Sequence, residues 1–386
     1  MTDKKIVLLG STGSLGTQSL EVIKQAGNIK VTALAARESI DLLERQIREF
    51  TPEIAAVFNE HAALELKHRL AESGIKHTEI LAGESGLLAA AAHDCDLAIN
   101  CLVGAAGLLP TMTAINAGRD VALANKESLV AAGALVMDAA KKNGVNIIPV
   151  DGEHSAIFKC LQGNEGNTIE KIHLTASGGP FRGWTSTQLE AVTPVQALAH
   201  PVWNMGSRIT IDCATMMNKG FEAIEAVWLF DVPLSKVNVL VHPQGIIHSM
   251  VEFLDGCIMA QLSAPDMRLP VQYAIDYPLR RAGLVKKADF SQIRELNFEP
   301  PNTDTFPCLR LAYDAHKMGG AAAAVLNAAD EEAVQLFLSG AIKFTDIPRI
   351  IESTLSAYNV QDADSVDVVL EADRWARRHV LQSFRK

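Results

Sequence analysis

Asp151 and Glu153 stand two residues apart in NIIPVDGEHSAIF, residues 146–158, directly after an apolar run and directly before His154. A strand can end in Asp and Gly simply to turn. If the backbone around 151 stays extended, however, side chains two apart face the same side, and the two carboxylates share one space. They repel there unless a cation or a proton sits between them. Other groups able to do chemistry recur along the chain: Asn125, Lys126 and Glu127 in ANKES, Ser177 in TASGGP, His200, Trp203 and Met205 in HPVWNMG, and Asn218, Lys219 and Glu222 in MMNKGFEAIEA. A helical MMNKGFEAIEA sets Asn218 and Glu222 one turn apart on a common face.

A different chemistry begins near the start. GSTGSLG places Gly10, Gly13 and Gly16 after the apolar KIVLL and before an amphipathic segment. Glycines there allow a tight turn and close approach of a pyrophosphate to a helix N-terminus, whose free N–H groups favour an anion. Roughly 20 residues on, where a ribose contact is expected, ARES supplies Arg37, Glu38 and Ser39. An acidic residue suits the bare 2′-hydroxyl of NAD and an Arg the 2′-phosphate of NADP; both are present.

The elements that must position these groups alternate. KIVLLG, KVTALAA, EIAAVF, DLAINCLV, DVALAN and NIIPV read as strands, interleaved with helical patterns such as SLGTQSLEVIKQAG and SIDLLERQIREF. Such βαβ alternation predicts a parallel sheet covered on both faces, and makes residues 1–150 a doubly wound domain. Over 151–276 the texture becomes α+β, with KIHLTASGGPF, RITIDCATMM, KVNVLVHPQGIIHSMVEFLDG and CIMAQLSAP read as strands among loops and helices. Residues 277–302 read as a Pro-bearing linker. From 303 to 386 the pattern is helical, ending in an amphipathic helix from near Ser365 with Val366, Val369, Leu370, Val380, Leu381 and Phe384 on or near one face.

The chain of 386 residues carries a formal charge of -10, which argues against a nucleic acid or an anionic membrane as principal partner. Its six cysteines form no CxxC, as expected of free thiols in a reducing compartment. No apolar run reaches the roughly 18 residues of a membrane span, and the expected location is the cytoplasm.

Taken together, LANKESLVAAG, PVDGEH, TASGGPF, HPVWNMG, ATMMNKGFEAIEA, HPQGIIHSMVEF and PDMRLPVQYA resemble the 1-deoxy-D-xylulose 5-phosphate reductoisomerases, and the resemblance spans essentially the whole chain. It implies an α/β protein with a Rossmann-like NADPH domain, a central α+β catalytic domain with a mobile lid, and a C-terminal α-helical bundle. The implied activity is isomerisation and reduction of 1-deoxy-D-xylulose 5-phosphate to 2-C-methyl-D-erythritol 4-phosphate, in non-mevalonate isoprenoid precursor synthesis. The resemblance further implies a homodimer and a divalent cation held by Asp151, Glu153 and Glu222. Oxygen ligation of that kind suits Mg²⁺ or Mn²⁺. By the same resemblance Ser177, His200, Asn218 and Lys219 cradle the substrate phosphate and Lys126 meets its hydroxyls. Trp203 becomes the tip of the lid, and Gly10, Thr12, Gly13, Ser14, Leu15, Arg37, Glu38, Ser39, Asn125, Glu127 and Gly206 attend NADPH. Lys126, Asp151, Glu153, His200 and Glu222 are the expected catalytic set, with His154 supporting its neighbours.

Four positions depart from the family pattern. Gly152 replaces a serine between the carboxylates, so backbone must serve the substrate there. Val202 replaces an asparagine in the lid, and Cys213 a phosphate-binding serine. ARES stands where Gly followed by Lys or Arg is common. Two other readings fit the same residues: a metal-dependent oxidoreductase acting on another sugar phosphate, and an NADPH-sensing binding protein without catalysis.

Overall fold

A computed structural model describes residues 4–164, 166–203 and 205–384. Asn204 of HPVWNMG, the outermost residues of the 1–150 and 303–386 regions, and the side chain of Phe384 lie outside the described residues.

In chain order the elements are β1 (Lys4–Leu9), α1 (Ser14–Ala26), β2 (Ile29–Ala36), α2 (Ile40–Phe50), β3 (Ile54–Val57), α3 (Glu60–Glu72), β4 (Glu79–Ala82), α4 (Gly83–Ala92), β5 (Leu97–Asn100), α5 (Leu108–Asn116), β6 (Asp120–Leu123), α6 (Lys126–Asn143) and β7 (Ile147–Pro149). There follow α7 (Gly152–Leu161), β8 (Ile169–Ala176), α8 (Ser186–Leu189), α9 (Pro194–Ala197), α10 (Ser207–Thr215), α11 (Met217–Phe230), β9 (Val237–Val241), β10 (Ile247–Phe253) and β11 (Ile258–Leu262). The chain ends in α12 (Arg268–Asp276), α13 (Cys308–Met318), α14 (Ala322–Leu338), α15 (Asp346–Ala357) and α16 (Val366–Phe384). Two compact units result, one of Met1–Asn125, Val136–Asp151 and Asp266–Val285, the other of Lys126–Leu135, Gly152–Pro265 and Lys286–Lys386.

The first unit is built on a seven-stranded sheet in the order β4-β3-β2-β1-β5-β6-β7, with every pairing parallel. The apolar runs of β1, β3 and β5 lie buried because helices cover both faces of such a sheet. Strand order reverses between β1 and β5, the place where open α/β sheets bind ligands at the carboxyl ends of their strands. GSTGSLG leaves β1 there. The edge strand β4, whose EILA is partly exposed, lacks the long apolar run by which its neighbours are recognised.

The second unit holds a four-stranded sheet in the order β11-β10-β8-β9, in which β10 is antiparallel to β8 and β11 while β8 runs parallel to β9. α7 packs on β10 and β11, α11 on β8, β9 and α13, and α14 against α15 and α16. Two expectations are corrected. RITIDCATMM is not a strand: it forms α10 and the turn into α11, burying Arg208, Ile211, Asp212 and Thr215 at helical spacing. Polar partners for Arg208 outweigh the strand preference of two isoleucines. On α16, Val369 and Val380 are buried but Leu381 is 42 % exposed, so Leu381 lies off the apolar stripe.

No described helix is long and apolar enough to cross a membrane. Gly16 lies tight against backbone in the first unit. A Cβ there would run into the carbonyl of Gly10 and the backbone of Ser11. Gly16→Ala should therefore cost about 1–3 kcal/mol in urea unfolding; an unchanged midpoint would show that the loop gives way freely.

Candidate active site

Gly10 turns the chain off β1 in a left-handed conformation, φ 82°. Its N–H and that of Ser11 both donate to the Ala35 carbonyl, at 2.9 Å each. Ser11 is pinned by exchange with Gln46: its hydroxyl donates to Oε1 at 2.7 Å and its carbonyl accepts from Nε2 at 2.9 Å. Gly13 precedes α1, whose first turn has neither a side-chain cap nor an acidic residue. Thr12, Ser14 and Leu15 line this uncapped end, partly or fully exposed. Free N–H groups and the helix dipole there favour an anion. Arg37, Glu38 and Ser39 are exposed on the turn between β2 and α2. Asn125 is fully buried and donates to the carbonyls of Leu102 and Gly104 at 3.0 and 2.9 Å.

The opening carboxylates converge, though not through extended backbone. Asp151 lies in a bend and Glu153 in the first turn of α7, because Gly152 begins the helix directly after the strand. Asp151, Glu153 and Glu222 each offer an oxygen within 4.8 Å of the others. Glu222, 1 % exposed on α11, accepts from Lys126 Nζ at 2.9 Å and from Asn218 Nδ2 at 2.5 Å. Its second oxygen takes the ammonium of Lys219, which also reaches Glu153. Lys126 donates in addition to Asn218 Oδ1 at 3.0 Å. Glu153 and Glu222 thus face two ammonium groups, and the set of three carboxylates is all oxygen, which suits magnesium or manganese.

His154, fully buried, places Nε2 at 2.9 Å from the Glu222 carbonyl and Nδ1 at 3.2 Å from a Glu225 oxygen. Because a carbonyl only accepts, Nε2 carries a proton and is closed to a metal. Asp151, His154 and Glu225 also cluster within 4.8 Å, but that set is mixed nitrogen and oxygen. The supporting part expected of His154 has this geometry. Glu225 escaped the sequence reading, although its spacing of three from Glu222 puts both on one helical face.

A second group of donors gathers beside β8. Gly178 and Gly179, both at positive φ, turn Ser177 against the end of α10, where a Cβ on Gly179 would meet the Cys213 carbonyl at 2.8 Å. His200 Nδ1 accepts the N–H groups of Val202 and Trp203 at 3.2 and 2.9 Å. The ring proton therefore sits on Nε2 and is donated to Ser177 Oγ at 3.0 Å. Oγ also accepts from Gly179 N–H at 3.2 Å, which leaves the hydroxyl proton free to serve an outside acceptor. Burial, then the charge of Lys219, lowers the His200 pKa and keeps the ring neutral. Burial pushes the Cys213 thiol up to about 12, so it remains a weak neutral donor.

Trp203 is half-buried, its ring 6.4 Å from that of His248. His248, another residue not singled out from sequence, contacts the Ser263 carbonyl through Nε2 at 3.2 Å. Gly206 is exposed and precedes α10, while Glu127 accepts from Arg208 at 3.2 Å. Within the second unit, then, Lys126, Glu153, Asn218, Lys219 and Glu222 share one contact network. Ser177 and His200 form a separate pair that feels the Lys219 charge.

Similarity to known proteins runs nearly the whole length of the chain. The family model for 1-deoxy-D-xylulose 5-phosphate reductoisomerase matches residues 6–133, and its C-terminal domain models match 147–230 and 262–379. The chain is 50% identical over 377 residues to the 1-deoxy-D-xylulose 5-phosphate reductoisomerase of Thermodesulfovibrio yellowstonii, covering 97% of this chain and 98% of the relative. It is 52% identical over 380 residues to that of Ruminiclostridium cellulolyticum, covering 98% and 99%. Among solved structures, the Zymomonas mobilis enzyme in complex with NADPH superposes with a TM-score of 0.92 at 40% identity and full coverage of both chains. A reductoisomerase in complex with NADPH, fosmidomycin and magnesium gives 0.95 at 37% identity, covering 99% and 98%.

One pH dependence follows from His248. Burial pushes its pKa from 6.5 down to about 4. Above 6.5 neither the folded nor the unfolded chain protonates this ring; between 6.5 and 4 only the unfolded chain does. Its share of stability is thus complete above pH 6.5 and declines by on the order of 3 kcal/mol as pH falls to 4. Chemical unfolding across that range, compared with His248→Gln, should show the variant losing this much less; parallel curves would refute it.

Proposed function

The chain belongs to the 1-deoxy-D-xylulose 5-phosphate reductoisomerase family, and from that premise we propose how its own residues serve the reaction. It is an NADPH- and divalent-metal-dependent enzyme that isomerises and reduces 1-deoxy-D-xylulose 5-phosphate to 2-C-methyl-D-erythritol 4-phosphate. The observation that carries the assignment of residues is the convergence of Asp151, Glu153 and Glu222 with the ammonium groups of Lys126 and Lys219.

The three carboxylates hold the cation. When bound, it supplies Lewis acidity at substrate oxygens, and NADPH supplies the hydride. Lys126 orients the substrate hydroxyls, while Gly152 contributes only its backbone. Ser177 and His200 Nε2–H, with Asn218 and Lys219, bind the phosphate away from the reacting carbons and fix the substrate's orientation. Lys219 joins the two groups, since its ammonium pairs with Glu153 and Glu222 while its charge reaches His200. Trp203 covers the substrate and excludes water.

Gly10 and Gly13 admit the NADPH pyrophosphate to the head of α1, lined by Thr12, Ser14 and Leu15. Arg37 would meet the 2′-phosphate, with Ser39 beside it and Glu38 left to solvent. Asn125 acts by holding the 102–107 loop, and Glu127 and Gly206 attend the nicotinamide. We assign cofactor binding to 1–150, catalysis to 151–276, a linker to 277–302 and a helical bundle to 303–386.

Edge strand β11 leaves Ile258 and Met259 exposed, with Leu254 beside them. An unpaired apolar edge invites another strand, which supports a homodimer joined there. Six free cysteines support a reducing, cytoplasmic setting.

Purified protein should consume NADPH with the deoxyxylulose phosphate only when Mg²⁺ or Mn²⁺ is present, and a chelator should abolish turnover. Glu222→Gln should lower kcat on the order of a thousandfold, equivalent to several kcal/mol. Metal-independent turnover, or an unaffected variant, would overturn the residue assignment. Cys213→Ser should lower the substrate KM about tenfold, because a hydrogen bond to a charged group contributes roughly 1.5–3 kcal/mol. An unchanged KM would mean that the other donors suffice.

A further inference from the structure

Beyond the carboxylate cluster, α10 buries a second charge. Arg208 is 7 % exposed, and its guanidinium donates to Glu127 at 3.2 Å, Glu331 at 3.1 Å and Asn327 Oδ1 at 2.7 Å. Asp212, one turn along, and Asp330 of α14 stay outside hydrogen-bond range, at 3.7 and 3.8 Å. Four carboxylates therefore surround one guanidinium. Arg377 of α16 shares Glu331 at 3.0 Å, Lys126 of α6 acts on Asp212 from farther off, and Cys308 of α13 brings only a neutral thiol.

Asp330 is fully buried and Asp212 is 4 % exposed. Both oxygens of Asp330 and Oδ1 of Asp212 lack any donor among the described residues, and both side chains border the same guanidinium. Two buried acceptors crowded on one cation are best satisfied when they share a proton. Burial raises Asp212 to about 6 and Asp330 well above the carboxylate range, in the same direction.

We propose that Asp212 and Asp330 hold one proton in common, and that Arg208, thereby left to engage Glu127, is a positioning residue for Lys126. Glu127 follows Lys126 in the first turn of α6, and Lys126 reaches Asn218 and Glu222. Were both aspartates ionised, they would compete with Glu127 for the one guanidinium. The proton settles that competition in favour of α6. Arg208 also lies two residues after Gly206, so its bonds to Asn327 and Glu331 tie the end of the HPVWNMG segment to α14.

This inference rests on the part given to Lys126 above, and its test separates the two. Infrared spectra of the full-length protein at neutral pH should contain a protonated-carboxyl band that Asp212→Asn and Asp330→Asn each remove. A band unchanged in both variants overturns the shared proton, whatever the enzyme turns over. Wild-type turnover of the deoxyxylulose phosphate tests the functional reading alone. Arg208→Met should lower kcat about tenfold, yet add less than about threefold in a Lys126→Ala background, because residues acting through one another are not additive. Losses that multiply would reduce Arg208 to a structural part. Should Arg208→Met fail to fold, Arg208→Lys keeps the charge without the planar fork and enters the same cycle.

Discussion

A carboxylate buried in an apolar helix must be met by opposite charge. Glu222 lies on α11, where every residue from Met217 to Ala226 is buried, and an uncompensated charge there would cost several kcal/mol. Lys126 from the head of α6, together with Asn218 and Lys219 one turn earlier on α11, answers that demand. Lys219 in turn draws in Glu153 from the head of α7. Three helix beginnings are thereby brought to one point, and the carboxylates that could hold a cation are assembled by the need to keep one of them from standing alone.

The donors around this point are fixed by backbone. Val202 and Trp203 claim one nitrogen of His200, and the Glu222 carbonyl claims one of His154. Each contact selects a tautomer, so His200 presents a proton while His154 is committed to holding α11. Met216, a non-glycine residue at φ 68°, breaks α10 from α11 and starts the second helix just before Asn218. Strained backbone of this kind persists where surroundings over-determine it; here the buried ion pairs on one side and the Arg208 contacts on the other supply that constraint.

How much of this was legible in the sequence depended on whether the signal was local. The glycine loop after KIVLL, the alternation of the first 150 residues, and the spacing of Asn218 and Glu222 need only near neighbours, and each appears in the structure as read. β4 was missed because a short, partly exposed edge strand lacks the apolar run. RITIDCATMM was misread as a strand because its isoleucines carry a local preference that the long-range partners of Arg208 overrule. Glu225 and His248 sat inside quoted motifs without a part, since nothing local says what they touch.

The sequence by itself determined the kinds of group available: oxygen donors for a hard cation, glycines for a pyrophosphate, neutral and cationic donors for a phosphate. Only the tertiary structure decided the pairings, giving Lys126 and Lys219 to Glu222, Ser177 to His200, and Arg208 to Glu127 rather than to the aspartates nearby. Residue type is written in each side chain's own chemistry. Partnership is settled by which charges the fold removes from water together, and those can lie 123 residues apart, as Arg208 and Glu331 do.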